Sequence, residues 1–202
     1  MKRSAISAAV LGLAFSAAIA PVSAQAIVSS PVRFGIMGGA TIPVGNINGV
    51  SFSDVAKTGW NAGALVTIGV PLVPVSFRID GQWHQLNGQT GNTPGGGTTD
   101  FRIIDGTANV VYTFGAALPT KFYLIGGIGA YNERAHFREA DANASSTKFG
   151  LNGGVGFKFQ LTGFATFIEA RYHNIIHGSE IGDTGQSGSS LQMIPISVGI
   201  TF

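Results

Sequence analysis

The sequence predicts an all-β protein, an eight-stranded antiparallel up-and-down transmembrane β-barrel. Apolar and polar residues alternate along eight stretches, as expected for strands, which send successive side chains to opposite faces. The composition is apolar, with 45% hydrophobic residues, 11% charged residues and 30 glycines. Yet no run after Gln25 approaches the roughly 20 apolar residues of a spanning helix. Together with an export signal at the N-terminus, this is typical of a membrane barrel, whose lipid-facing residues are diluted by alternation.

The N-terminal segment is the export signal. Residues 1–24 are predicted to form a cleaved signal peptide, and residues 25–202 the barrel domain. Basic Lys2 and Arg3 precede an apolar, alanine-rich run, and small residues up to Ala24 offer a cleavage site. An uncleaved membrane anchor is the alternative, which the short apolar run disfavours. We therefore expect export to the bacterial outer membrane.

The first four strands are predicted at residues 32–44, 59–70, 75–86 and 102–114. Each has one apolar parity and one small or polar parity. The connection at 71–74 begins and ends with proline, which fits a turn because proline cannot donate into a β-ladder. The apolar parity includes Phe34, Ile36 and Ile42 in the first strand, Trp60, Val66 and Ile68 in the second, Phe77, Ile79 and Trp83 in the third, and Ile104, Val110 and Tyr112 in the fourth.

The last four strands are predicted at residues 122–131, 147–159, 165–175 and 192–202. The fifth, FYLIGGIGAY, is apolar at both parities, so its two faces stay unassigned. The other three return to alternation. Their apolar parity includes Phe149, Leu151 and Val155 in the sixth strand, Ile168, Ala170 and Tyr172 in the seventh, and Ile194, Ile196, Val198, Ile200 and Phe202 in the eighth.

Four long connections, at 45–58, 87–100, 132–146 and 176–190, alternate with three short ones. Membrane barrels of the outer-membrane type have short turns in the periplasm and long loops outside the cell. Both ends of the barrel domain are therefore expected on the periplasmic side. The loop at 132–146 is the most charged segment, and we expect it to be the first choice for contact with an extracellular partner.

The polar parity of the strands carries charges that a barrel interior would have to accommodate. A buried charge requires a partner, and eight strands enclose only enough space for side chains to fill. We therefore predict an interior polar network that fixes the barrel and fills its lumen; a narrow ion channel is an alternative. Its predicted members are Arg78, Asp80, His84, Asp105, Lys148, Lys158, Glu169, Arg171 and His173.

The seventh and eighth strands, FIEARYHNI and QMIPISVGITF, resemble the small outer-membrane β-barrel domain family, which includes OmpA-like, OmpX-like and attachment-invasion barrels. The resemblance implies a monomer surrounded by outer-membrane lipid, and implies that the outer-membrane assembly machinery reads the C-terminal strand through its final aromatic residue, Phe202. It also implies a structural or adhesion role at the cell surface. No peptidoglycan-binding domain is expected after the barrel.

Little in the chain points to chemistry. His173 and His177 are four residues apart, which on a strand separates them by about 13 Å, too far to ligate one metal ion together. His177, Ser179 and Glu180 are a weak hydrolase candidate, because barrel lipid A deacylases have a similar His-x-Ser spacing. However, adjacent residues on an extended segment point apart. Without cysteine, thiolate chemistry is excluded, and we predict no metal site and no cofactor.

The predicted function is therefore structural or adhesive, exercised through the four long loops, and not enzymatic. An outer-leaflet lipid A-modifying hydrolase and a narrow ion channel are the alternatives. Loss of Lys2 and Arg3 with the signal peptide takes the formal charge from +2 to 0. A chain without a basic excess is not expected to bind nucleic acid.

Overall fold

The computed structural model describes residues 32–47, 50–88, 99–115, 118–137, 142–177 and 189–202. The secondary structure is almost entirely β. In chain order the elements are β1 Val32–Val44, β2 Asn46–Ile47, β3 Val50–Ser51, α1 Phe52–Val55, β4 Gly59–Gly69, β5 Val75–Leu86, β6 Thr99–Phe114, β7 Thr120–Phe137, β8 Ala142–Gln160, β9 Ala165–His177 and β10 Ser189–Thr201.

Eight of the strands close into a barrel in the order β1-β10-β9-β8-β7-β6-β5-β4. Every neighbouring pair is antiparallel, including the closing pair β1 and β10, in which Ile36 lies opposite Ile200. The predicted fold is confirmed. We call the end that carries Val32, Phe202 and the short connections the turn end, and the opposite end, which carries α1, the loop end.

The alternation sets the two faces of the barrel wall. A shift by one residue would move a whole strand's apolar set to the other face, so the pattern fixes the register. The predicted apolar parity points outward, with Phe34, Ile79 and Val198 each more than half exposed. The fifth predicted strand, whose facing was open, is β7. It turns Leu124 and Ile128 outward and buries its tyrosines at positions 123 and 131, together with its isoleucine at 125.

Two predicted loops need correction. Strand β7 continues to Phe137 and β8 begins at Ala142, so most of the predicted loop 132–146 is a paired hairpin. Polar residues stabilise this extension, because the Asn132 Nδ2 atom donates to Thr147 Oγ1 at 2.9 Å and to Ser145 Oγ at 3.4 Å. The apolar stripe that marks the lipid-facing wall does not continue here, because the outward positions Asn132, Arg134 and Ser145 are polar.

The predicted loop 45–58 also has structure of its own. It contains the short pair β2 and β3 and the single-turn helix α1, which begins after Ser51. The backbone N–H of Phe52 donates to the Gly45 carbonyl at 2.9 Å, which ties α1 to the end of β1. Within the described ranges, no helix has the length and apolar character needed to cross a membrane.

Inward-facing glycines make room for large interior side chains. A Cβ atom added at Gly156 would collide with the ring of Tyr123, and one added at Gly199 would collide with the ring of Phe167. Both rings are almost fully buried inside the barrel. The many glycines of the polar parity therefore match the narrow interior of an eight-stranded barrel, which side chains must fill without overlap.

Candidate functional site

The middle of the lumen holds two arginines and two carboxylates. Arg78 and Asp80 lie two residues apart on β5, and Glu169 and Arg171 lie two residues apart on β9, so each pair shares the inward face. In the barrel order three strands separate β5 from β9 on either side. The four side chains therefore meet across the full width of the lumen, and we call them the ionic quartet.

Each carboxylate of the ionic quartet contacts both arginines. Arg78 donates to Asp80 from Nε at 2.6 Å, and it donates to Glu169 from Nη1 at 2.8 Å and from Nη2 at 3.0 Å. Arg171 donates to Glu169 from Nε at 2.8 Å and to Asp80 from Nη1 at 3.2 Å. No side chain of the four is more than 6% exposed. Two positive and two negative charges thus balance in a water-poor space.

Neutral side chains add further hydrogen bonds to carboxylate oxygens that already accept from the arginines. The Tyr123 hydroxyl donates to Glu169 Oε2 at 2.8 Å, and Asn109 Nδ2 donates to Asp80 Oδ2 at 2.6 Å. Buried ion pairs are stable only when such additional hydrogen bonds offset the loss of water. The ring of Phe167 lies beneath the Arg78 guanidinium, 5.4 Å from its centre, and completes the enclosure.

A second polar layer lies nearer the loop end. His84 Nε2 is 2.8 Å from Asp105 Oδ2, and His84 Nδ1 is 2.8 Å from the Thr41 hydroxyl. Asn61 Nδ2 donates to that hydroxyl at 3.1 Å, and Ser197 donates to Asn61 Oδ1 at 2.9 Å. A neutral imidazole with its proton on Nε2 satisfies every link in this chain from Ser197 to Asp105. The chain joins five strands.

His173 belongs to the same layer. Its Nδ1 atom lies 2.9 Å from the Tyr131 hydroxyl, and its ring centre is 6.1 Å from that of His84. The described residues contain no group of three or more His, Cys, Asp or Glu side chains that could hold a metal ion. Hydrogen bonds within the lumen account for both ring nitrogens of His84 and for Nδ1 of His173, whereas His173 Nε2 has no hydrogen-bond partner among the described residues.

The interior near the loop end contains an apolar cluster, which the prediction of a polar lumen missed. Phe52 of α1 is fully buried and packs edge-on against Phe101, with ring centres 5.5 Å apart. The signal was present in the sequence, because inward positions near the loop ends of several strands are apolar. The buried residues of this apolar cap are Phe52, Ala56, Leu86, Ile103, Tyr131, Ile175, Leu191 and Met193.

The interior near the turn end is more open. A cavity of about 30 Å³ lies against Arg78, Lys158 and Tyr123 and is otherwise lined by hydroxyl and apolar side chains. Lys158 is half-buried. Lys148, near the loop end, is also half-buried. Within the described part of the chain, neither lysine forms an ion pair, so both predicted network members lie apart from the ionic quartet.

The remaining predicted residues lie at the edges of the barrel. Phe202 is 65% exposed, and its backbone N–H donates to the Phe34 carbonyl at 2.8 Å. His177 is the last residue of β9, and its side chain is outside the described part. Ser179 and Glu180 also lie outside the described residues, so the hydrolase candidate stays a prediction from the sequence.

Comparison with known families agrees with this architecture. Residues 8–202 match the outer membrane protein beta-barrel domain. The chain belongs to this family. This outer-membrane barrel is therefore located in the bacterial outer membrane, and its outward apolar residues face lipid. A search of curated protein sequences finds no significant match.

Solved structures similar to this outer-membrane barrel share its fold at low sequence identity. Neisserial surface protein A (NspA) is 14% identical with a TM-score of 0.61, over 85% of this chain and 96% of that one. A major outer membrane protein from Thermus thermophilus is 14% identical with a TM-score of 0.55, over 85% and 98% of the two chains. OprG from Pseudomonas aeruginosa is 15% identical with a TM-score of 0.50, over 86% and 97%.

Proposed function

We propose that this protein is a monomeric outer-membrane barrel with a structural or surface-interaction role, whose lumen is closed to solutes. The observation that supports closure is the ionic quartet, in which Arg78 and Glu169 join opposite walls of the barrel. The apolar cap adds a second barrier of different chemistry, because ions and polar solutes would lose their hydration on entering it. With the lumen closed, partners would contact the outer surface of the barrel and its loops.

The proposed orientation places the loop end outside the cell. Outer-membrane barrels have short turns on the periplasmic side, and the connections at the turn end are short. We propose that residues 1–24 are removed on export and that the assembly machinery reads the C-terminal strand through Phe202. A surface role is in keeping with the name of the similar Neisserial protein, which is a surface protein.

Planar bilayers test the closed lumen. The refolded wild-type barrel is expected to give no discrete conductance steps. An Arg78→Ala/Glu169→Ala/Arg171→Ala variant that also carries Phe52→Ala, checked for folding by its gel shift, is expected to leak because it lacks three quartet members and the central side chain of the apolar cap. A general diffusion porin in the same bilayers is the positive control. Regular steps from the wild-type barrel would show that it is a narrow channel.

Cell attachment tests the surface role. Cells that express the wild-type barrel are compared with cells in which residues 89–98 are replaced by a short Gly-Ser turn, because that exchange leaves the barrel strands in place. Reduced attachment to surfaces or host cells at equal expression is expected. Equal attachment, repeated after shortening residues 178–188 and after replacing residues 138–141 with a Gly-Ser turn, would leave a purely structural role. Replacement of Ser179 by alanine, with unchanged lipid A acylation, would remove the hydrolase alternative.

A further inference from the structure

Two arginines lie side by side on the outside of the barrel near the loop end. Arg102 of β6 and Arg134 of β7 are direct cross-strand partners, and both follow the outward parity of their strands. Like charges directly opposite each other destabilise an antiparallel pair. We call these two residues the arginine pair. An anion bound between the two guanidinium groups would relieve their repulsion.

The described residues provide no carboxylate for the arginine pair. Arg102 stacks on the Trp83 ring, 4.6 Å from its centre, and Arg134 Nε donates to the Asn132 amide oxygen at 3.2 Å. Glu133 follows the inward parity of β7. Asp100 shares the outward parity of Arg102, but its carboxylate accepts a bond from the Gly88 backbone N–H at 3.3 Å. Neither guanidinium forms an ion pair with a described residue.

Two buried donors beside the arginine pair have no acceptor. Arg102 Nε and Trp83 Nε1 form no hydrogen bond with described residues. The same row of the sheet continues through Gln85 on β5 and Ser145 on β8, which lie opposite Arg102 and Arg134. The surface is therefore rich in donors over four neighbouring strands, which is the chemistry that binds a phosphate group.

The height of the arginine pair on the barrel identifies the source of the phosphate. One strand pair closer to the membrane, Ile104 lies opposite Trp83. Further along the same outward face, Ile128, Phe149 and Leu151 are each about half exposed. The arginine pair therefore lies at the boundary between the lipid-facing apolar belt and the polar rim, where a side chain that points outward meets lipid headgroups.

We infer that the arginine pair binds a phosphate group of a lipid in the outer leaflet of the outer membrane. The planar guanidinium groups match phosphate oxygens in a bidentate manner, and the phosphate neutralises the cross-strand repulsion. The apolar belt below accommodates the acyl chains of the same lipid. The inference rests on the orientation proposed above, which puts the loop end outside the cell, and it does not depend on whether the lumen is closed.

Tryptophan fluorescence gives a local test, because Trp83 stacks on Arg102. In a Trp60→Phe background, Trp83 is the only tryptophan and reports on this surface. The mature barrel, refolded in a zwitterionic detergent, is titrated with lipopolysaccharide, with the same lipopolysaccharide after enzymatic dephosphorylation, with phosphatidylglycerol and with inorganic phosphate. We expect saturable binding of intact lipopolysaccharide, and binding at least about tenfold weaker after dephosphorylation or in an Arg102→Gln/Arg134→Gln variant.

A matched control removes the same charge from the same end of the barrel. Lys57 is exposed between α1 and β4, and Lys148 is on the inward parity of β8, so the Lys57→Gln/Lys148→Gln variant should bind as the parent does. Equal binding by the arginine variant, or an equal loss in the lysine variant, would overturn the proposed site. A heat-modifiable gel shift shows that each variant is folded.

The other ligands separate the remaining outcomes. Saturation by inorganic phosphate at the same concentration as lipopolysaccharide would mean a free-anion site and would overturn the lipid assignment. Preference for phosphatidylglycerol would overturn the outer-leaflet assignment, whereas the proposed orientation rests on the short connections of the turn end and would stand. The cell-attachment test of the loop variants concerns the surface role alone. Unchanged attachment would therefore contradict the surface role without affecting the lipid-phosphate site, and absence of lipopolysaccharide binding would contradict the site without affecting the surface role.

Discussion

Replacement of Glu169 by alanine should be among the most destabilising single changes in this barrel. The Glu169 carboxylate accepts hydrogen bonds from Arg78, Arg171 and Tyr123. Its removal leaves two arginines with one carboxylate, Asp80, inside a lumen where the four side chains are at most 6% exposed. Breaking a buried ion pair from one side typically costs about 3–5 kcal/mol, because it leaves an uncompensated charge.

Unfolding in urea measures this cost. The mature barrel is refolded into lipid vesicles, and the fluorescence of Trp60 and Trp83, both on the outward parity, follows the transfer of the barrel wall into water. We expect the free energy of unfolding to fall by about 3–5 kcal/mol in Glu169→Ala. In Lys148→Ala, which removes a half-buried charge without an ion pair among the described residues, a change within about 0.5 kcal/mol is expected.

A replacement of the whole ionic quartet shows whether the cost comes from unpaired charge. Exchanging Arg78 and Arg171 for methionine and both carboxylates for leucine leaves no unpaired charge in this part of the lumen. This variant should therefore be more stable than Glu169→Ala. A free energy of unfolding for Glu169→Ala within about 1 kcal/mol of the wild-type value would refute the reasoning, since loss of one partner from a buried ion pair is expected to destabilise the barrel by more than that. A quadruple variant less stable than Glu169→Ala would show that the quartet contributes more than neutrality.

Three further predictions concern other parts of the barrel. Phe52→Ala should lower the free energy of unfolding by about 3 kcal/mol and speed proteolysis within residues 45–58, because it empties the apolar cap; Val55→Ala, at a half-buried position, is the milder control. Gly156→Val should reduce the folded, heat-modifiable fraction, because its side chain would overlap the Tyr123 ring, whereas Gly106→Ala should not, since no atom lies within 4 Å of the added Cβ. Phe202→Ala should slow assembly in cells while the protein refolded in detergent keeps its gel shift, and equal loss in both assays would contradict a role in recognition.

The sequence was sufficient for the barrel wall because its alternation has a period of two. It identified strands 32–44 and 75–86 with the bounds that the structure has, and it assigned inward and outward faces in seven strands. The fifth strand stayed open because Tyr123 and Ile125 on one face are as apolar as Leu124 and Ile128 on the other. Only the partners inside the lumen, such as Glu169 for the Tyr123 hydroxyl, decide between them.

The sequence predicts which charged side chains face the lumen but not which of them contact one another. Two inward charges two residues apart on β5, and two on β9, indicated ion pairs. That Arg78 reaches Glu169 depends on strand order and tilt, which local patterns do not encode. The arginine pair was missed for the same reason, because Arg102 and Arg134 become neighbours only through the register of β6 and β7.

The arrangement of layers along the lumen explains why α1 belongs to the barrel and not to its surface. Charges fill the middle, where two arginines and two carboxylates cancel one another. Nearer the loop end, inward positions such as Leu86, Ile103 and Met193 are apolar, and they would be open to water if no other element covered them. The single turn of α1 is too short to be a stable helix alone. We infer that burial of Phe52 over these residues holds α1 in place as part of the barrel interior.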